Sequence, residues 1–134
     1  MTKSKGAKKA VKVVLCTLMI IAILIGSFIT FLLLCKEKTL NNELKGVDLQ
    51  SVADGSYVGH YNGYRWSNTV EVTVKDHQIT NIDVNKPQVF AKEETIQTLT
   101  DRVVSKQSTN VDAVSGATAD SKAFLQAVEN ALNQ

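Results

Sequence analysis

Residues 111–121 hold the string whose residue types could do chemistry. Val111-Asp112-Ala113-Val114-Ser115-Gly116-Ala117-Thr118 reads as a short hydrophobic strand, a tight Ser-Gly turn and a helix that starts at Thr118, followed by Ala119-Asp120-Ser121. A helix start exposes unpaired N–H groups and the positive end of a dipole, which suit a phosphate. Small residues at 115, 116 and 117 let the backbone approach such an anion closely. A threonine hydroxyl at 118 could itself be esterified. The same residues also suit a plain helix start, with Thr118 as N-cap and Gly116 as turn residue. Residue types leave both readings open.

The remaining chemistry-bearing residues form no comparable set. His60 and His77 lack the Cys, Asp or Glu neighbours that a metal site needs, so no metal ligand is expected. No haem or iron–sulfur spacing is present, and neither a Ser-His-Asp set nor a Gly-Lys-Ser/Thr phosphate loop can be argued. No catalytic residue is therefore singled out. Glu93-Glu94 sits where a helix begins, a position that favours acidic residues for structural reasons.

The elements that must position the 111–121 string follow from periodicity. Gly55–Tyr61 reads as a strand, and 69–75 alternates with Val70, Val72 and Val74 on one face. Asp76-His77 is a two-residue turn leading into a returning strand over 78–85. Ile79 breaks the parity shared by Ile82 and Val84, so a slip or bulge is expected near that turn. Lys92–Gln107 and Ala119–Leu132 carry apolar stripes at helical spacing. The expected fold is α+β, a small antiparallel sheet covered by two helices and preceded by one N-terminal transmembrane helix.

That first helix is legible from Val13 to Cys35, 23 uncharged residues of which 19 are apolar. It would span roughly 34 Å, enough for a hydrocarbon core of about 30 Å. A cleaved signal peptide would have a shorter run ending in a small-x-small site, and a lipoprotein would need a small residue before its cysteine. Neither is present, since Leu34 precedes Cys35 and Leu15 precedes Cys16. The two cysteines lie within the run, as lipid-facing or packing residues. Lys3, Lys5, Lys8, Lys9 and Lys12 precede it, which predicts a cytoplasmic N-terminus and an extracytoplasmic C-terminal domain.

The formal charge of +2 is a cancellation: residues 1–40 carry +6 and residues 41–134 carry −4. Neither the total nor the mildly acidic exported part suggests nucleic acid. The expected organisation is a basic tail over 1–12, the membrane helix over 13–35, a linker over 36–52 and a compact domain over 53–134. Leu40, Leu44 and Val47 give the linker a weak helical spacing, enough for a short stalk.

Residues 112–118, Asp-Ala-Val-Ser-Gly-Ala-Thr, resemble the attachment motif of the FMN-binding domain family. This domain occurs in flavin subunits of the sodium-translocating NADH:quinone reductase and of Rnf complexes, and in small membrane-anchored electron carriers. Asp54-Gly55-Ser56-Tyr57-Val58-Gly59 is similar to the family's opening strand, and Val70–Val84 to its hairpin, with His77 where glycine is common. The likeness covers about residues 53–133. It implies FMN joined to Thr118 by a phosphoester, a phosphate loop shaped by Ser115, Gly116 and Ala117, and Asp112 within the recognition motif of a separate flavin transferase. Where the family often has a glycine-rich stretch after Gly63-Tyr64, this chain has Arg65-Trp66-Ser67-Asn68. Trp66 there suits either flavin stacking or an ordinary loop role, and Arg65 either an anion partner or a solvated charge.

The resemblance implies a carrier rather than an enzyme with its own substrate, placed at the outer face of a bacterial membrane. Its electrons would come from a membrane dehydrogenase or quinol and pass to an extracytoplasmic acceptor. Two other readings fit the residues: a membrane-anchored interaction module without flavin, using the Tyr64–Trp66 loop, and a flavin reductase. So small a domain leaves the last little room for a second substrate.

Overall fold

The computed structural model describes residues 3–134; the first two residues of the expected basic tail lie outside the described residues. The chain divides into two units, with the boundary between Leu34 and Cys35. The first unit is the bulk of helix α1 (Lys3–Leu40), which begins already within the basic tail. Its segment Lys5–Leu40 is long and apolar enough to cross a membrane. Side chains from Val13 to Leu34 are exposed all round, so the apolar surface of this helix is not covered by the rest of the chain. Two of its polar residues are satisfied within the helix: Thr17 donates to the Val14 carbonyl at 2.8 Å and Thr30 to that of Gly26 at 2.9 Å.

The second unit, Cys35–Gln134, is built on a three-stranded antiparallel sheet in the order β1 (Gly55–Tyr61), β2 (Asn68–Lys75), β3 (Gln78–Lys86). Helix α2 (Glu93–Lys106) packs on β3, and helix α3 (Thr118–Leu132) packs on β1 and β2. This is the α+β arrangement that the periodicity predicts. Val70, Val72 and Val74 all point inward from β2 and are buried. Asp76 and His77 both adopt positive φ, 52° and 58°, as a two-residue hairpin turn demands.

The parity conflict in β3 resolves as a bulge. Thr73 pairs with Asn81 and Val74 with Ile79, so Thr80 is the extra residue and Ile79 and Ile82 both turn inward. Beyond α2, Gln107 closes the helix at φ 52° and turns its amide onto β3. It accepts the Ile79 N–H at 2.7 Å and donates to the Ile79 carbonyl at 2.8 Å, standing in for a missing neighbour strand.

Within the stretch expected as a linker, Leu40, Leu44, Val47 and Leu49 pack against the core of the second unit. Of the two cysteines, expected as lipid-facing or packing residues, Cys35 is buried in that core and Cys16 is exposed. The physical reason is that apolar residues adjoining a small sheet find protein to cover as readily as lipid. The end of α1 is held by polar contacts too. Tyr61 donates its hydroxyl to Thr39 at 3.1 Å, and Lys122 of α3 donates to the carbonyls of Leu40 at 2.5 Å and Asn42 at 3.4 Å. A cation against the last carbonyls of a helix satisfies groups that the helix itself leaves unpaired.

Candidate functional site

The string 111–118 folds without the short strand expected at its start; residues 110–114 are irregular, with side chains meeting backbone groups that a ladder would have used: Ser121 accepts the Val114 N–H and Arg102 donates to the Asp112 carbonyl. The tight turn is present. The Ala117 N–H donates to the Val114 carbonyl at 2.9 Å, with Gly116 at φ +76° in the third position. That pattern is a type II turn, which needs a residue free to take positive φ. An added Cβ at Gly116 would meet nothing within 4 Å, so the turn's outer side is open.

Thr118 is the first residue of α3 rather than its cap. The cap position is Ala117, which has no side-chain bond to offer the helix. The hydroxyl that organises the loop belongs instead to Ser121, a buried residue. It accepts the Val114 N–H at 3.0 Å and donates to the Ala117 carbonyl at 2.7 Å. The loop is thus pinned by a hydroxyl one turn into the helix, the helix start carries no side-chain cap, and Thr118 stands exposed. The amides of the first turn of α3 point outward past it, as at any helix N-terminus.

A cavity of about 440 Å³ opens beside this turn, lined by Lys36, Leu40, Arg65, Trp66 and the run Gly116–Asp120. Its size falls within the range of roughly 300–1,000 Å³ common for small-molecule sites. Trp66 is buried, and the Arg65 guanidinium lies over its ring at 4.5 Å from the centroid. A cation on an indole face is held electrostatically and stays available to an anion at its edge. The charges on the lining are Lys36 and Arg65 against Asp120, a surplus of one positive.

The loop before α2 fixes two walls of this cavity. Gln88 donates its side-chain amide to the Asp120 carbonyl at 3.3 Å, and the Val89 N–H donates to the Arg65 carbonyl at 2.9 Å. Tyr64, Val89 and Phe90 lie beside these contacts and are exposed, Phe90 by 83%. A second cavity, about 500 Å³ between β3 and α2, has Asp83 and Glu93 as its charged lining and so repels a phosphate.

Gly116, Ala117 and Thr118 therefore meet at one cavity with Arg65 and Trp66. Ser115 is exposed within the turn but does not line the cavity, and Asp112 is exposed on the irregular stretch, its carbonyl accepting Arg102 at 2.6 Å. His60 and His77 bond to the Thr69 hydroxyl and the Val52 carbonyl, each at 3.0 Å. Among the described residues no group of three or more potential metal ligands occurs. Sequence reasoning missed Ser121, Gln88 and Lys36. Ser121 left a trace, a hydroxyl four residues after the turn; the other two left none.

A search of the curated proteins finds no match to the chain. The model of the FMN-binding domain family matches residues 63–133, from the turn before Arg65 to the end of α3. The match takes in more than half of the chain and includes Arg65, Trp66 and all of the 112–118 loop. On that match, which spans the Gly116 turn and the head of α3 beside the Arg65–Trp66 cavity, the chain belongs to the FMN-binding domain family.

Proposed function

We propose that this protein is a membrane-anchored flavoprotein that carries FMN on Thr118 through a phosphoester and transfers electrons outside the cytoplasm. The observation that carries this reading is the exposed Thr118 at the head of α3, inside a cavity with a positive surplus and an indole wall. A threonine needed only for structure would be engaged by the loop, and Ser121 does that work instead. Gly116 and Ala117 give the phosphate room, and Arg65 offers it a cation. Bound FMN supplies one- and two-electron redox chemistry, which the polypeptide lacks.

The ester calls for a flavin donor with a good leaving group, such as a flavin dinucleotide. The Thr118 oxygen bonds to the FMN phosphorus, the phosphoanhydride bond breaks, the nucleoside monophosphate leaves, and the threonine proton passes to a base of the flavin transferase. Asp112 and Ser115, exposed and outside the cavity, are the residues a transferase would grip. The basic N-terminal segment favours a cytoplasmic N-terminus. A membrane dehydrogenase or quinol then serves as donor, and an extracytoplasmic centre as acceptor. Permanent attachment suits that side, where a dissociated cofactor is lost by dilution.

The test is to express the full chain with a flavin transferase, denature it and look for flavin fluorescence migrating with the protein. Thr118→Val should be dark. A dark wild-type band would remove the flavin-carrier reading in favour of an interaction module, and a fluorescent Thr118→Val band would move the attachment elsewhere.

A further inference from the structure

The family match begins at residue 63, yet the cavity at Thr118 has a wall that lies well before it. Lys36 and Leu40, one turn apart on the same face of α1, line the cavity opposite the head of α3. Resting on the reading of Thr118 as the flavin attachment point, we propose that Lys36 is a positioning residue for the flavin phosphate. The last two turns of the anchor helix are then part of the cofactor site and not only its tether.

Three observations converge on Lys36. The first is charge. A phosphate esterified on both sides carries a single negative charge, and the lining offers Lys36 and Arg65 against Asp120. Without Lys36 the surplus falls to zero, because Asp120 offsets Arg65. Arg65 is already stacked on Trp66, which leaves Lys36 as the cation free of aromatic duty.

The second is fixation. Cys35 and Thr39, on the adjacent face of the same turns, are buried at 5% and 0% exposure. Thr39 donates to the Cys35 carbonyl at 3.2 Å and accepts from Tyr61 at 3.1 Å, so this helix end is locked to β1. A lysine on a locked turn loses less freedom on meeting an anion than one on a loose linker.

The third is a direct tie between the two halves of the site. Lys122, which donates to the carbonyls of Leu40 and Asn42, stands on α3 four residues after Thr118. The head of α3 and the end of α1 are therefore tied directly by this side chain.

A lysine that directly follows an apolar helix also has a simpler use, as a flanking charge at the membrane surface. Lys38 separates the two roles. It flanks the same run two residues on and is exposed like Lys36, but does not line the cavity. The experiment uses the full chain in membranes with a limiting amount of flavin transferase and flavin dinucleotide, and reads the rate at which flavin fluorescence becomes attached. Lys36→Gln should slow loading at least about fivefold, Lys36→Arg should restore it to within about twofold of wild type, and Lys38→Gln should leave it unchanged. Normal loading of Lys36→Gln at wild-type abundance overturns the proposal and leaves the Thr118 reading intact. Equal losses in Lys36→Gln and Lys38→Gln also overturn it, by assigning the effect to the membrane flank. A failure to recover loading in Lys36→Arg does the same, by assigning Lys36 a packing role. Loading of Thr118→Val, run alongside, would instead sink the attachment reading on which the proposal rests.

Discussion

Glu129 on α3 accepts the backbone N–H of Gly46 at 2.7 Å, joining two residues 83 positions apart in a buried carboxylate clamp. The same oxygen accepts the Thr109 hydroxyl at 2.6 Å, and the other accepts the Lys45 N–H at 3.0 Å. The clamp holds the segment after α1 and the loop before the attachment turn against one helix. Removing it leaves the buried Thr109 hydroxyl and the part-buried Gly46 N–H without a partner, each worth about 1–3 kcal/mol when orphaned, while the more exposed Lys45 N–H turns to water. Glu129→Ala should therefore destabilise the compact unit by about 2–4 kcal/mol. Urea unfolding in detergent, followed by the fluorescence of the single Trp66, checks this; a loss under 1 kcal/mol would show that water replaces the carboxylate.

Gly59 is required by contact. A Cβ there would lie 2.0 Å from the Ala127 carbonyl oxygen and 2.7 Å from the Ala131 Cβ, both on α3. The neighbours are helix backbone and a methyl, so neither can swing away. Gly59→Ala should cost about 3 kcal/mol or more, at the upper end of overpacking effects. An unchanged melting temperature would mean that α3 sits further from β1 than described.

Gly116 is required by backbone conformation. Its φ of +76° disfavours any residue with a Cβ, yet nothing lies within 4 Å to clash. Gly116→Ala should lose only roughly 1–2 kcal/mol, and Gly116→Asn less, since Asn tolerates that region. The ordering Gly59→Ala worse than Gly116→Ala is the measurable outcome in parallel thermal melts, and the reverse order would contradict it.

Asp54 gives the hairpin a pH dependence. The backbone N–H of Asp76 holds its carboxylate below the usual range, helped by the amide and ring of His77 and by Lys75 and opposed by slight desolvation. Because the folded pKa lies below the unfolded value of about 3.9, the stabilisation is complete above that value. It is lost as pH falls through the folded pKa. Asp54→Asn should melt below wild type at pH 7, and the gap should close as the pH drops beneath about 4. A gap of constant size from pH 7 to pH 3 would show that charge plays no part.

What the sequence determined by itself is the set of local elements. Alternation marked β2, the broken parity of Ile79 placed a bulge that proved to be Thr80, and the stripes of α2 and α3 gave both helices within a residue or two. Positive φ at Asp76 and His77 and the turn at Gly116 were legible for the same reason: each depends on a few neighbouring side chains and on backbone sterics. The 112–118 motif was legible as a string of residue types. Tertiary structure decided the rest. It turned residues 36–52 onto the core, gave Ser121 the structural hydroxyl duty and left Thr118 exposed. It also set Lys36, Arg65 and Trp66 around one cavity with a helix start some 50 to 80 residues away. No periodicity encodes such a meeting, because the packing that brings distant segments together is a property of the closed fold, whereas pattern and propensity act over a few residues along the chain.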